Sequence, residues 1–407
     1  MNDGRAGPKD WKKGAGGMFY PLANTTWDSA EYDALQDVIK SDRFTMGDRV
    51  RAFEETFAKK FGKKYAVMTS SGSSANLLGI TAAFHHPDFG FQPGDEIIVP
   101  AVSWSTTYFP ISQNGLKLRF VDIDPNTLNI DVDQVAAAIT PRTKMVFAVN
   151  LLGNPIEAGR LRKVCADAGI LLAEDNCESM GASLNGEMAG AFGLFGTFST
   201  YFSHHICTME GGVAITDDRK LYDNMLSIRA HGWVRDLAED THLPMDPDPF
   251  VRQFRFVLPG YNLRPIEMEG ALGIPQLAKL DGFVAERRAN AVKFQSLFQG
   301  NDLIQTQTET GESSWFGFSM VLQGKMAGQR GKLVDAFKKA EIECRPVVTG
   351  NFLKNPVIDK LDHNVGGEII AADKVDVDGL FVGNHHHPIP AQLDRLAQVV
   401  ADVCATV

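Results

Sequence analysis

Short apolar runs and amphipathic stretches alternate along the first two-thirds of the chain. Residues 28–61 carry a helical pattern. Glu31, Tyr32, Leu35, Val38 and Ile39 fall near a 3.6-residue period, and Asp28 or Ser29 is placed to cap. Phe44-Thr45-Met46-Gly47 breaks the pattern, so a second helix is expected over about 48–61. Strand-like runs follow at Tyr65–Met68, Glu96–Val99, Leu116–Val121, Met145–Val149 and Ile170–Ala173. Between them lie helix-like segments, one from about Ser74, others at Val132–Ile139 and Ile156–Ala168. Such alternation predicts parallel βαβ units with helices on both faces of the sheet. Functional residues then belong on the loops at the C-terminal ends of the strands.

Phe195–Ser199 and Val213–Thr216 read as two further strands, and Leu221–Ala230 as a helix. Residues 231–263 are rich in Pro, Asp and aromatics without any period. A long irregular excursion of this kind is usually functional or interfacial. A helical region runs from Ile266 to about Phe298, after which the character changes. Ser313–Leu322 and Ile342–Arg345 look like strands, Gly331–Lys339 and Leu393–Val403 like helices. The expected organisation is a tail over 1–19, a large domain over 20–280 and a smaller α+β domain over 281–407.

Composition narrows the function classes. The 407 residues include 40 Lys or Arg against 50 Asp or Glu, a net charge of −10. That balance gives no footprint for nucleic acid. The five cysteines, at 165, 177, 207, 344 and 404, are too dispersed for a disulfide framework and read as reduced thiols in a cytoplasm. No apolar stretch approaches the ~18 residues of a membrane span. The polar, Gly-rich N-terminus lacks the apolar core of a secretory signal and is expected to be a mobile tail.

Three segments carry candidate chemistry. Thr69-Ser70-Ser71-Gly72-Ser73-Ser74-Ala75-Asn76 joins a strand to a helix. Its glycine lets the backbone come close, and hydroxyls with helix-start N–H groups suit a phosphate. A Ser-rich helix cap makes the same bonds with no ligand, and no Gly-Lys-Ser/Thr follows. Glu174-Asp175-Asn176-Cys177-Glu178 follows an apolar strand directly. An acid placed there can keep a ring nitrogen cationic, as pyridoxal phosphate requires; a surface acid cluster is the bland alternative. Ser199 to Gly212 is a polar Ser/His segment ending in Glu210-Gly211-Gly212, which suggests a tight active-site loop.

Five blocks occur in one order: SSGSSA from Ser70, PAVSW from Pro100, EDNCES from Glu174, MEGG from Met209 and YNLRPIEMEGALGIPQL from Tyr261. Together they resemble the pyridoxal-phosphate-dependent sugar aminotransferase family of nucleotide-sugar biosynthesis, over about residues 20–393. The resemblance implies an α/β, aspartate-aminotransferase-like fold (fold type I). Its large domain carries a mostly parallel mixed sheet, with a smaller C-terminal α+β domain behind it. It also implies a homodimer with shared sites. Gly72, Ser73 and Ser199 would then hold the cofactor phosphate, and Trp104 would stack on the ring. Asp175 would bind the ring nitrogen, and Glu178 would lie near the ring hydroxyl. Asn262 would reach the phosphate in the neighbouring subunit, and His231 and Arg235 would cross the interface toward substrate. Interface packing is an equal reading of that last pair.

One position departs from the pattern. The family's lysine, six residues before the Glu of Glu-Gly-Gly, falls at His204, and no lysine occurs from Val164 to Arg219. Imidazole has no primary amine and cannot form a Schiff base. The substitution resembles the branch of 4-keto-6-deoxy-sugar 3-dehydratases, which remove the C3 hydroxyl with untethered pyridoxamine phosphate. His204 would be the base, and a neutral imidazole near pH 7 suits that work. One sub-branch acts on CDP-sugars with an iron–sulfur cluster, which needs about four converging thiolates. The dispersed cysteines favour the other, which is cluster-free, GDP-linked and fed by L-glutamate, and whose product is a precursor of colitose-type sugars. Two alternatives stand beside it: an aminotransferase with a migrated lysine, Lys220 being the nearest, and a non-catalytic relative.

Arg345 is a candidate fork for a carboxylate or phosphate, with a structural salt bridge as the alternative. His385-His386-His387 is expected to be a polar loop and no metal site. Asp122-Ile123-Asp124-Pro125-Asn126 imitates a calcium loop but has Thr127 and Asp133 at the key positions, so it reads as a strand exit. Trp27 and Phe44 are read as core residues rather than a sugar-site lining.

Overall fold

The computed structural model describes residues 19–407. Apart from Phe19, the tail expected over 1–19 lies outside the described residues. The chain opens with helices α1 (Ser29–Ser41) and α2 (Asp48–Lys60), then β1 (Tyr65–Thr69), α3 (Gly72–Phe84), β2 (Glu96–Pro100), α4 (Ser105–Gln113), β3 (Lys117–Val121), α5 (Val132–Ala138) and β4 (Thr143–Val149). It continues through α6 (Ala158–Ala168), β5 (Leu171–Asp175), the small hairpin β6 (Ser183–Leu184) and β7 (Glu187–Met188), β8 (Phe195–Ser199), β9 (Gly212–Thr216) and α7 (Arg219–Arg229). The irregular excursion holds only the short α8 (Pro249–Arg252). Then come α9 (Glu267–Phe298), β10 (Ile304–Thr306), β11 (Gly317–Leu322), α10 (Arg330–Lys339), β12 (Cys344–Arg345), β13 (His363–Val365), α11 (Ala371–Asp378), β14 (Gly379–Gly383) and α12 (Pro390–Thr406).

Eight strands form the large sheet, in the order β1-β9-β8-β5-β4-β2-β3-β13. Only β9 runs against the rest. Alternate residues point to opposite faces of a strand, and both faces here are covered. Ile97, Val99, Met145 and Phe147 meet α3, α4 and α7 on one side. Ile98, Val146 and Ala148 meet α5 and α6 on the other, where α2 and α9 cover Met68, Phe198 and Val213. This is why the strand sequences read as unbroken apolar runs. Four antiparallel strands, β10-β11-β14-β12, make the second sheet, backed by Phe294, Phe298, Leu333, Phe337 and Leu393.

Helix α9 spans 32 residues, or about 48 Å at 1.5 Å per residue. Leu277, Leu280 and Val284 belong to the core under the large sheet, whereas Ala291, Phe294 and Phe298 belong to the second core. Residue 280 therefore falls inside one continuous helix. Farther on, the chain returns to the large sheet: β13 pairs in parallel with the outer edge of β3, and Phe352 and Ile358 join that core. A three-residue strand has too few positions to show a period, so the sequence carried no sign of it.

Two expectations change at the N-terminal helices. Tyr32 and Ile39 are exposed, while Glu31 is buried and accepts from Lys279 Nζ at 2.8 Å. The stripe is therefore not a simple core face. Phe44 is 46% exposed and not a core residue.

Asp122 is a strand exit with a further role. Its carboxylate accepts the backbone N–H groups of Ile370, Ala371 and Ala372 at 2.6, 2.6 and 2.8 Å, capping α11 from the end of β3. Asp124 closes its own turn through the N–H groups of Asn126 and Thr127. Asp122→Ala leaves three N–H groups near the start of α11 without that acceptor. It is expected to cost about 1–3 kcal/mol, measured as a lower urea midpoint.

Candidate active site

The parallel strands bring their C-terminal ends to one edge of the sheet. Register places Thr69, Gly212 and Ser199 in one row, with Asp175 opposite Thr197 and Val149 in the next strands. Successive residues of a strand face opposite sides, and the acids at the end of β5 diverge accordingly. Glu174 turns inward and accepts from Asn150 Nδ2 and from the N–H groups of Gly190, Phe192 and Gly193. Its burial raises its pKa, while those four donors pull it back. Glu174 thus ties down the loop before β8. The neighbouring acids are not a surface cluster: Glu174 is fully buried and Asp175 is 5% exposed.

Asp175 turns the other way, toward α3 and α4. Its Oδ2 accepts from Asn76 Nδ2 at 2.8 Å and Thr107 Oγ1 at 2.7 Å, and its Oδ1 from Cys177 N at 3.1 Å. Asn76 is held in turn by Thr106 O and Thr197 Oγ1. An ionised carboxylate has about four lone-pair sites, so Asp175 retains capacity for a further donor. Glu178 accepts from Leu152 N at 3.1 Å. Burial raises its pKa to about 7, and the charge of Asp175 adds to the rise.

The serine-rich turn lies beside this pair. Ser71 caps α3 by accepting from Ser74 N, and Ser73 donates to Thr106 Oγ1 at 2.9 Å. A Cβ on Gly72 would lie 2.6 Å from Ser199 Cβ and 2.9 Å from Cys177 Sγ. Gly72, Ser199 and the segment after Asp175 are therefore in close contact, and only glycine fits there. Trp104 precedes α4 and exposes 56% of its surface, while Thr107, one turn on, faces Asp175. Gly72, Ser73, Trp104, Asp175, Glu178 and Ser199 thus gather at one edge.

His204 follows the end of β8. Its Nδ1 is buried with no partner among the described residues, and its ring lies 5.3 Å from Phe316 and 6.0 Å from Tyr201. Burial, then the charge of Arg287, lowers its pKa to about 4. His205 is fully buried and its Nε2 meets Ser314 O at 3.1 Å. Trp27, half-buried, donates its indole N–H to Cys207 O in the same loop. It therefore braces this segment rather than the core. Lys220 pairs with Asp88 at 2.7 Å, away from these residues.

Three further candidates share the excursion. Asn262 bridges Ala230 and accepts from Arg264, and Leu263 O receives Ser70 N at 2.9 Å. His231, at φ 65°, packs edge-on against Trp233. The Arg235 guanidinium stacks 3.9 Å over the Trp233 ring and borders a groove of about 530 Å³ at the opposite end of β1. Within one chain Arg235 does not converge with Asp175. Arg345 is exposed on β12, opposite Phe381, with no salt bridge among the described residues. The three histidines 385–387 lie on a loop; His385 is 1% exposed and pairs with Pro21 O, whereas His386 and His387 are partly exposed. Among the described residues no group of three His, Cys, Asp or Glu could hold a metal.

The sequence reading passed over Thr107, Phe316 and Arg287. Thr107 had a signal, since it sits three residues after Trp104 and so one helical turn away. The other two come from the distant 287–316 region and had none.

Residues 26–401 match the DegT/DnrJ/EryC1/StrS aminotransferase family. The chain is 54% identical over 384 residues to GDP-4-keto-6-deoxy-D-mannose 3-dehydratase of Yersinia pseudotuberculosis, covering 94% of this chain and 98% of that one. It is similar to the solved E. coli GDP-4-keto-6-deoxy-D-mannose-3-dehydratase with bound hydrated PLP, with a TM-score of 0.92, 52% identity and 94% and 99% coverage. A GDP-4-keto-6-deoxymannose-3-dehydratase structure with a trapped PLP–glutamate geminal diamine has a TM-score of 0.91, 51% identity and 93% and 99% coverage.

The buried histidines set a pH dependence. Burial, with the charge of Arg287, also holds His205 well below 6.5, His385 down to about 3 and His386 to about 4. A depressed folded pKa contributes stability that is present above the unfolded value and lost as pH falls toward the folded one. Glu178 and Glu269, both raised to about 7 by burial, act oppositely; their contribution is full below 4.5 and lost as pH rises through 7. With His85 and His242 also lowered, six histidines stand against three raised carboxyls, Glu174 included, so the urea midpoint is expected to fall between pH 6.5 and 4. His386→Phe, which keeps a ring against Phe283, is expected to soften that fall.

Proposed function

Because this chain belongs to the DegT/DnrJ/EryC1/StrS aminotransferase family, we propose that it removes the C3 hydroxyl of GDP-4-keto-6-deoxy-D-mannose in dideoxysugar synthesis. In this reading it uses pyridoxal and pyridoxamine phosphate, takes its amine from L-glutamate and works as a homodimer. One observation supports the reading: His204 follows β8, the strand whose Ser199 meets Gly72, and no lysine occurs between residues 163 and 220.

The residues present fit the cofactor. Gly72, Ser73 and Ser199 would receive its phosphate, where N–H groups and hydroxyls gather at the start of α3. Asp175, anchored on three sides with acceptor capacity left, would hold the protonated ring nitrogen. Trp104 presents an exposed ring for stacking, and Glu178, with its pKa at about 7, would share a proton with the ring hydroxyl. When bound, the group supplies an amine for the sugar ketone and a cationic ring that accepts electrons.

His204 does the proton work. Held neutral by burial, its imidazole is ready to take a proton and pass it to the departing C3 oxygen. Lysine at this place would carry the proton to the sugar's C4 carbon and complete an amine transfer. Arg235 borders the groove at the end of β1 away from Asp175; in this reading Asn262, His231 and Arg235, all on the excursion, would serve the neighbouring subunit's site in a dimer. Arg345 stands across from Phe381, which packs 6.5 Å from Phe316 beside His204. In this reading its guanidinium would receive a carboxylate or phosphate at the outer side of the site.

The cluster-free reading rests on the cysteines. Cys165 lies in the core under α6, Cys207 in the loop after His204, and Cys344 and Cys404 flank the second core. Lys220 is engaged with Asp88, which weighs against a migrated lysine.

Borohydride added to the native chain with pyridoxal phosphate is expected to leave no adduct on lysine by mass spectrometry. His204→Lys is expected to trap the cofactor covalently and to lose at least about a hundredfold in deoxygenation, the lower end of the usual worth of a general base. A lysine adduct in the native chain, or full activity in the variant, sinks the role of His204. Offered side by side, the GDP-linked 4-keto-6-deoxy sugar is expected to be consumed and the CDP-linked one spared, with 2-oxoglutarate appearing from glutamate.

A further inference from the structure

Arg287 is 5% exposed and lies in the middle of α9. A buried guanidinium is normally matched by a carboxylate, because an unpaired buried charge is costly. No salt bridge reaches Arg287 among the described residues. Its Nη1 donates instead to three carbonyls: Asn384 at 2.8 Å, Phe316 at 3.2 Å and Trp315 at 3.4 Å. Its Nε is buried without a partner among the described residues.

Two of those carbonyls, of Trp315 and Phe316, belong to a strained turn. Trp315 has φ 47°, in the left-handed region that bulky side chains avoid. The turn is fitted against a second left-handed residue, Leu152 at φ 53°. Phe316 N donates to Leu152 O and Ser314 N to Gly153 O, and a Cβ on Gly153 would lie 2.4 Å from Trp315 N. Leu152 N in turn donates to Glu178. On its other side the turn meets the histidines, with the Phe316 ring 5.3 Å from His204 and 5.8 Å from His205, and Ser314 O on His205 Nε2.

We propose that Arg287 is a positioning residue for the reaction: by gathering the carbonyls of the 315–316 turn and the 384 loop, it sets Phe316 against His204 and the Leu152 amide against Glu178. Its charge adds a second effect. The groups facing His204 are Tyr201 and His205 from its own loop, Phe316 from the turn and Arg287 from α9; His385 and His386 lie on the 384–387 loop behind. Arg287 is the cation in this set, and it disfavours protonation of His204, His205, His385 and His386 alike. The base is thereby kept in its proton-accepting form. The inference deepens the reading of His204 as the base and rests on it.

The test uses the full chain with and without pyridoxal phosphate. Histidine ring resonances of ¹³C-labelled protein are followed against pH, with His204 assigned by its loss in His204→Asn. Arg287→Met is expected to raise the His204 midpoint by about one pH unit or more, a tenfold gain in proton affinity. It is also expected to lower kcat at least about tenfold while KM for the sugar nucleotide stays within about twofold. Arg287→Lys keeps the charge without the fork, so it is expected to restore the midpoint but not kcat. Phe316→Leu, which leaves the buried charge in place, is expected to lower kcat with the His204 midpoint little changed. The inference is overturned if the midpoint does not move in Arg287→Met, or if Arg287→Lys behaves as native in kcat. If the midpoints move as stated while the native chain turns over no 4-keto sugar, the positioning stands and the proposed reaction falls.

Discussion

A carboxylate buried at the end of a central strand must be hydrogen-bonded from several sides, because its desolvation is otherwise too costly. Meeting that demand at Asp175 joins elements far apart in the chain. Asn76 comes from α3, Thr107 from α4 and the Cys177 N–H from the turn after β5. The same arrangement brings the start of α3 against Ser199 so closely that only Gly72 fits. The start of α3, Asp175 and the strand end that leads to His204 are therefore one assembly. None of the three can shift without the carboxylate losing donors.

The two acids of β5 show how a strand assigns roles. Glu174 and Asp175 are adjacent, so the pleat sends them to opposite faces. One binds three backbone amides and an Asn side chain and organises the loop before β8; the other faces the site. Beyond β8 a histidine, His204, stands where the family pattern has lysine, and the frame around Asp175 is intact. The imidazole packs beside Phe316 and Tyr201 with its Nδ1 buried, and that burial, with the charge of Arg287, disfavours its protonation.

The region beyond residue 280 contributes more to the site than a separate smaller unit would. Helix α9 enters both cores, β13 extends the large sheet, and Asp122 at the end of β3 caps α11. Through the 315 turn the second sheet touches the histidine pair directly and reaches Glu178 by way of Leu152. Family membership accounts for the frame, and the strained turn shows where two sheets are fitted to each other at the chemical centre.

Much of this was legible in the residues. The alternation of apolar runs and helical periods determined the parallel sheet, because a strand buried on both faces must be apolar throughout. The motifs at strand ends, Gly72 with its serines, Asp175 and the lysine-free segment at His204, identified a site because position along a βα unit dictates which edge a residue reaches. What the sequence could not contain was the identity of neighbours brought together from afar. The burial of Glu31, His385 and Arg287, the exposure of Phe44, the docking of β13 and the contact of Phe316 with His204 all depend on long-range packing. Local period and propensity carry no term for that packing, and only the folded chain decided it.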